Sequence, residues 1–176
     1  MIKDISNTEP LEATIHSSEK LASDIMILAT QYPMISANAT IKEAISELIN
    51  SYDGYISNKR LLYTVHRSML VIDKLGKIVG VLSVRNMIQS LIPDKELKLD
   101  SDHDFWNRSK TLAKCTIGDI MQKSVARIHK NAKLTEVAQQ MVRHNTRRVL
   151  VVDDDNEVVG IVREQELFFE MANIIL

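Results

Sequence analysis

The sequence predicts an α/β fold built from two copies of one unit, each ordered strand, helix, strand, strand, helix. Three observations carry that prediction. The segment Leu70 to Ser83 is echoed by Leu150 to Arg163, with Asp73, Val79 and Gly80 in register with Asp153, Val159 and Gly160. A helical stripe also occurs twice. Ile41, Ala44, Ile45, Leu48 and Ile49 repeat in spacing at Leu134, Val137, Ala138, Met141 and Val142. Finally, Asp24, Ile25 and Met26 match Asp119, Ile120 and Met121. An internal repeat fixes the folding unit before any local motif is read.

Taken in order, the anchors are offset by 95, then 93, then 80 residues. The first copy therefore holds two extra residues before its long helix and thirteen after it, the larger insert lying within about 51–67. The stripe at i, i+3, i+4, i+7, i+8 is one apolar helical face. Thr40, with Glu43 three residues on, forms a capping-box pattern; in the second copy Lys133 holds the cap position, and Asn131 is an alternative cap one turn earlier. Short apolar runs follow, Met69 to Ile72 and Val149 to Val152. Gly76 and Asn156 then supply residues that tolerate positive φ, as a tight hairpin needs. Second strands are expected at Ile78 to Leu82 and Val158 to Val162, and second helices from near Arg85 and Glu164.

Hydrophobic residues make up 45% of the 176 and aromatics only 5%, so aliphatic side chains and Met must fill the core. A net charge of -1 gives no cationic footprint, and nucleic-acid binding is not expected. One cysteine, Cys115, excludes an internal disulfide and an all-cysteine metal site, and reads as buried and inert. Met1 to Ser18 lacks an apolar signal-peptide core, and no apolar run reaches membrane-spanning length. A cytoplasmic protein without membrane contact is expected. Asp100, Asp102, His103 and Asp104 fit no calcium loop and read as a solvated linker. No nucleophile–base pair, metal motif or glycine-rich phosphate loop appears, so no catalytic residue, required cofactor or metal site is assigned.

The ordered set as a whole resembles the CBS domain, named after cystathionine β-synthase. The residues that carry the resemblance are Asp119 to Met121, Leu134 to Ala138, Arg148 to Asp153, Val159 to Val162 and Leu167. Asp24 to Met26, Pro33 to Ser36, Ala39 to Ala44 and Leu70 to Gly80 carry it in the first copy. It implies two tandem domains packed through their sheets with pseudo-two-fold symmetry, a Bateman module. It divides the chain into a tail at 1–17, a first domain at 18–93, a linker at 94–113 and a second domain at 114–176.

In the family the cleft between paired domains often binds an adenosyl compound: AMP, ADP, ATP or S-adenosylmethionine. The matching motif is Gly, two apolar residues, Thr or Ser, two variable residues, then Asp or Asn. Gly80, Ser83 and Asn86 fit it; in the second copy Arg163 replaces the hydroxyl and Glu166 lengthens the acid. A hydroxyl at a strand end and an amide three residues on can hold phosphate or ribose oxygens. The resemblance further assigns Arg148 to the phosphates, with Ser68 at the equivalent place, and Met34 and Ile35 to the base. Ser83 and Asn86 also suit an ordinary helix start. Arg163 either blocks its cleft or grips phosphates.

Two functions follow. One is a regulatory module that senses an adenosine-containing ligand and signals to an unidentified partner protein. The other is a ligand-free scaffold for assembly, with a homodimer expected. The apolar end, Phe168, Phe169, Met171, Ile174, Ile175 and Leu176, is either core or dimer surface.

Overall fold

The computed structural model describes residues 19–56, 66–92 and 101–176. The first copy holds α1 (Ala22–Ile25), β1 (Ile27–Leu28), a 3-10 turn (Ala29–Gln31), β2 (Met34–Ser36), α2 (Ile41–Ile56), β3 (Ser68–Ile72), β4 (Ile78–Ser83) and α3 (Val84–Ser90). Next is α4 (Asp102–Leu112). The second copy holds α5 (Ile117–Ile120), β5 (Arg127–His129), α6 (Leu134–Arg143), β6 (Arg148–Val152), β7 (Val158–Arg163) and α7 (Glu164–Ile175). The expected unit is present twice, as β2-α2-β3-β4-α3 and β5-α6-β6-β7-α7.

The hairpins are near-copies. Gly76 sits at φ +79° and Asn156 at φ +61°. Asp73 Oδ1 accepts from the N–H groups of Leu75 and Lys77, and Asp153 Oδ1 from those of Asp155 and Glu157. The two tips meet where Lys77 Nζ lies 2.9 Å from Glu157 Oε1. These contacts lie on the axis that relates the halves.

Strands β3 and β6 are buried on both faces, the pattern of a sheet covered on each side. Met69 and Val71 pack with Ile41, Ala44 and Leu48 of α2, and Val149 and Val151 with Val137 and Met141 of α6. From the opposite faces, Leu70, Val81, Leu150 and Ile161 form a third cluster that joins the two sheets. The halves thus pack through their sheets.

Each half also lends its opening segment to the other. β1 pairs antiparallel with β7, Ile27 opposite Ile161. Gln122 and Val81 exchange both backbone hydrogen bonds, at 3.0 and 2.9 Å. Leu21 bridges Lys133 as Thr116 bridges Thr40. The sheets therefore run β1-β7-β6-β5 and β2-β3-β4, with Gln122 on the free edge of the second.

Four readings are decided or refined. Ile45, Ile49 and Val142 are exposed, so the buried helical stripe is narrower than the sequence suggests. Lys133, not Asn131, precedes α6, and its N–H donates to Glu136 Oε2. The linker is partly helical: Ser101 caps α4, Arg108 pairs with Asp104, and Leu112 joins the first core. The apolar end is not core, because α7 contains no buried residue and Phe168, Met171, Ile174 and Ile175 are exposed. The two-residue insert coincides with the 3-10 turn, which has no counterpart before β5. Six residues of the larger insert lengthen α2 to 16 residues against 10 in α6; positions 57–65, the tail at 1–17 and Asp100 lie outside the described residues.

Candidate functional site

Antiparallel pairing sets Ser68 opposite Ser83 and Arg148 opposite Arg163. Where the sheets meet, these four positions converge on two adjoining cavities. The larger, about 950 Å³, is lined by Ser83, Asn86, Gln122, Met141 and Thr146, among others. The smaller, about 610 Å³, is lined by Tyr32, Arg67, Ser68, Arg163 and Gln165. Arg147, Arg148, Glu164 and Phe168 line both. Volumes of this size suit a small-molecule ligand.

Ser83, Asn86 and Arg148 are thus brought together. Ser83 ends β4 and caps α3. Its Oγ accepts from the Asn86 N–H at 3.2 Å, while its own N–H donates to Asn86 Oδ1 at 3.0 Å. The Ser83 hydroxyl donates to the same Oδ1 at 2.5 Å. The helix-start role of this pair is therefore real. Because Oδ1 is fixed as an acceptor, the Asn86 amide nitrogen is left as a donor with no partner among the described residues. Asn86 offers the cleft N–H groups where an aspartate would offer oxygens.

Arg148 begins β6 and is largely buried. Its guanidinium makes no ion pair or hydrogen bond among the described residues. Burial pushes its pKa below the ordinary arginine value, against the pull of Tyr32 and Glu164. A buried, unpaired cation is costly unless something neutralises it.

In the second motif Arg163 and Glu166 hold one another, with Nε and Nη2 both within hydrogen-bond distance of the carboxylate. Both side chains are 14% exposed. The guanidinium stands where the first copy has its hydroxyl.

Three expected residues are placed elsewhere. Gly80 lines neither cavity; it lies under Met121 and Gln122, the exchanged edge. Ile35 belongs to the first core, and Met34 pairs with Leu70 on β2 without lining either cavity. Tyr32, His66 and Arg67 were not foreseen. Tyr32 shares a hydrogen bond of 2.7 Å with Ser68 Oγ, so the hydroxyl in the place of Arg148 is tied to a ring instead of a phosphate. His66 packs edge-on to Tyr32 at 4.5 Å, and its buried Nδ1 has no partner among the described residues. Burial first, and Arg163 second, lower its pKa below the usual histidine value, with Glu166 opposing. The 3-10 turn that delivers Tyr32 was visible in the sequence only as a two-residue offset.

The family model described as the CBS domain matches residues 22–93 and 117–173. The chain belongs to the CBS-domain family. It is a tandem pair of such domains, a Bateman module. An uncharacterised protein of Methanocaldococcus jannaschii is 27% identical over 114 residues, covering 55% of this chain and 68% of that protein. An L-aspartate semialdehyde sulfurtransferase of the same organism is 30% identical over 97 residues, which is 55% of this chain but only 15% of the enzyme. Among solved structures, a CBS domain-containing protein from Bacillus anthracis superposes with TM-score 0.63 at 13% identity, covering 90% of this CBS pair and 96% of that chain. CBSX2 in complex with AMP gives TM-score 0.61 at 21% identity, with 88% and 97% coverage. The cytosolic domain of the Mg2+ channel MgtE in complex with ATP gives 0.56 at 21%, with 86% and 49% coverage. At these identities the likeness establishes the fold. No helix among the described residues is long and apolar enough to cross a membrane, and no described cluster of His, Cys, Asp or Glu could hold a metal. Cys115 is half-buried against the first core.

Proposed function

We propose that this CBS pair is a regulatory module that binds an adenosine-containing ligand in the larger cavity and passes the signal to a partner protein. The observation that carries this reading is Arg148, a largely buried guanidinium without an anion, facing the same cavity as Ser83 and the free Asn86 amide. An anionic ligand supplies the missing charge. Structural neighbours of the same fold hold AMP and ATP. Because the cavity is walled by both halves, a bound ligand biases their relative arrangement. No catalytic role is assigned to any residue, and no cofactor is required for this reading.

A scaffold reading is favoured by a separate observation. Phe168, Met171, Ile174 and Ile175, all on α7, are exposed, an apolar helix suited to covering by a second copy of the chain.

Calorimetric titration with AMP, ADP, ATP and S-adenosylmethionine tests the first reading, with sedimentation run in parallel on the same samples. Heat is expected from at least one compound. Arg148→Met is expected to weaken binding at least about tenfold while leaving stability equal or higher, since an unpaired buried charge is removed. Absence of heat from all four would sink the sensing reading, and a dimer whose melting ignores nucleotides would establish the scaffold in its place.

A further inference from the structure

The smaller cavity is an arginine compartment. Arg67, Arg147, Arg148 and Arg163 line it against one lining carboxylate, Glu164. In a chain of net charge -1, this is a local concentration of positive charge. The compensation is weak. Arg147 approaches Glu164 only to 3.8 Å, with both groups mostly exposed. Arg67 and Arg148 have no carboxylate partner among the described residues. Arg163 is held by Glu166, which fixes the fork of its guanidinium in the wall.

This compartment adjoins the Ser83 cavity, with Arg147, Arg148, Glu164 and Phe168 in the walls of both. The sugar-facing groups, Ser83 and Asn86, line only the larger one. Resting on the reading above, we infer that the ligand is an adenosine polyphosphate. Its nucleoside lies beside Ser83 and Asn86, its first phosphate meets Arg148, and its outer phosphates extend into the arginine compartment.

Three consequences follow from charge and space. A monophosphate reaches Arg148 but does not extend to Arg67, which lines only the smaller compartment. S-adenosylmethionine brings a sulfonium cation towards arginines and is disfavoured. One polyphosphate spans both cavities and occupies the arginine wall they share, so the pseudo-symmetric halves hold one nucleotide per chain, not two. The asymmetry has a visible origin. In the first half position 68 is a serine tied to Tyr32, whereas its counterpart Arg148 is unpaired.

The test is calorimetry on the full chain with ATP, ADP, AMP and S-adenosylmethionine at low and high salt. ATP is expected to bind at least about tenfold more tightly than AMP, the worth of one added charged hydrogen bond. The gap should narrow with salt, as partly exposed arginines are screened. Stoichiometry should be one ATP per chain, and S-adenosylmethionine should give no heat. Arg67→Gln, at an exposed side chain lining only the smaller cavity, should bring the ATP and AMP affinities towards each other. Equal affinities for ATP and AMP in the unmodified chain, two ATP per chain, or binding of S-adenosylmethionine as tight as ATP would each overturn the polyphosphate inference while leaving adenosine sensing in place. Silence from every compound would remove both.

Discussion

Gly80 and Gly160 stand at equivalent places in β4 and β7, and each lies under the segment that the other half lends. A Cβ built on Gly80 would come within 2.7 Å of Gln122 O and 2.9 Å of Met121 Sδ; one on Gly160 would come within 2.6 Å of Met26 Sδ and 2.9 Å of Ile27 O. The methionine ends can move. The carbonyls cannot move cheaply, because Gln122 O already accepts from the Val81 N–H. Gly80→Ala is therefore expected to destabilise the fold by about 1–3 kcal/mol, the usual cost of overpacking, read as a lower urea midpoint with unchanged slope. Gly76→Asn is the control: nothing lies within 4 Å of a Cβ there, and Asn156 already occupies the matching positive-φ site. A Gly80→Ala protein as stable as its parent would refute the lent-strand explanation. The sequence drew Gly80 into the ligand motif because it precedes Ser83. Its steric reason was hidden, since the clashing atoms come from residues some forty positions away.

At the scale of elements, one capping device recurs. Asp24, Glu43, Asp119, Glu136 and Glu166 each accept the N–H of the residue three positions earlier, at the start of α1, α2, α5, α6 and α7. Asn86 does so for α3 with an amide. The Thr40 N–H and hydroxyl hold the Glu43 carboxyl, and the Thr116 hydroxyl and N–H hold that of Asp119, below their ordinary values of 4.5 and 3.8. The folded state thus binds protons less readily than the unfolded chain. The resulting stability is fully present above those values and is lost as pH falls through the lower, folded ones. Thr40 and Thr116 also face each other across the half-to-half bridge, so acid should loosen the lent segment with the caps. Melting followed from about pH 6 to pH 3 should fall more gently in Glu43→Gln with Asp119→Asn than in the unmodified chain; parallel curves would contradict the assignment. The Thr40–Glu43 box, both hairpin turns and the helix registers were legible because each is local, fixed within four or five residues. The flank of the helical stripe was not. Periodicity sets a direction, and only packing shows that Ile45, Ile49 and Val142 are left outside.

For the molecule as a whole, the repeat in sequence and the packing in space are divided differently. Two contiguous copies predicted two bodies meeting through their sheets, and they do meet there. β1 spans only two residues, and its counterpart at Gln122 is a single bridge. Neither is long enough to show strand alternation, so the exchange left no mark in the pattern. Its energetic meaning is nonetheless large. Ala22, 0% exposed, lies in the second core, and its N–H donates to Ala132 O. Ile117, also 0% exposed, lies in the first core, and its N–H donates to Ala39 O. A fragment ending before α4 would keep β2, β3 and β4 but lose Ile117, Leu112 and the Gln122 edge. It would also expose Leu70 and Val81, which are buried only between the sheets. The complementary fragment would lose Ala22 and β1 in the same way. Each fragment is therefore expected to be unfolded alone, and the two, expressed together as 18–97 and 98–176, should reassemble into one cooperative unit. Amide exchange on the fragments tests this. Native-like protection of β3 and β4 in the first fragment by itself would show that the halves are independent, and that the exchange decorates the fold without holding it together.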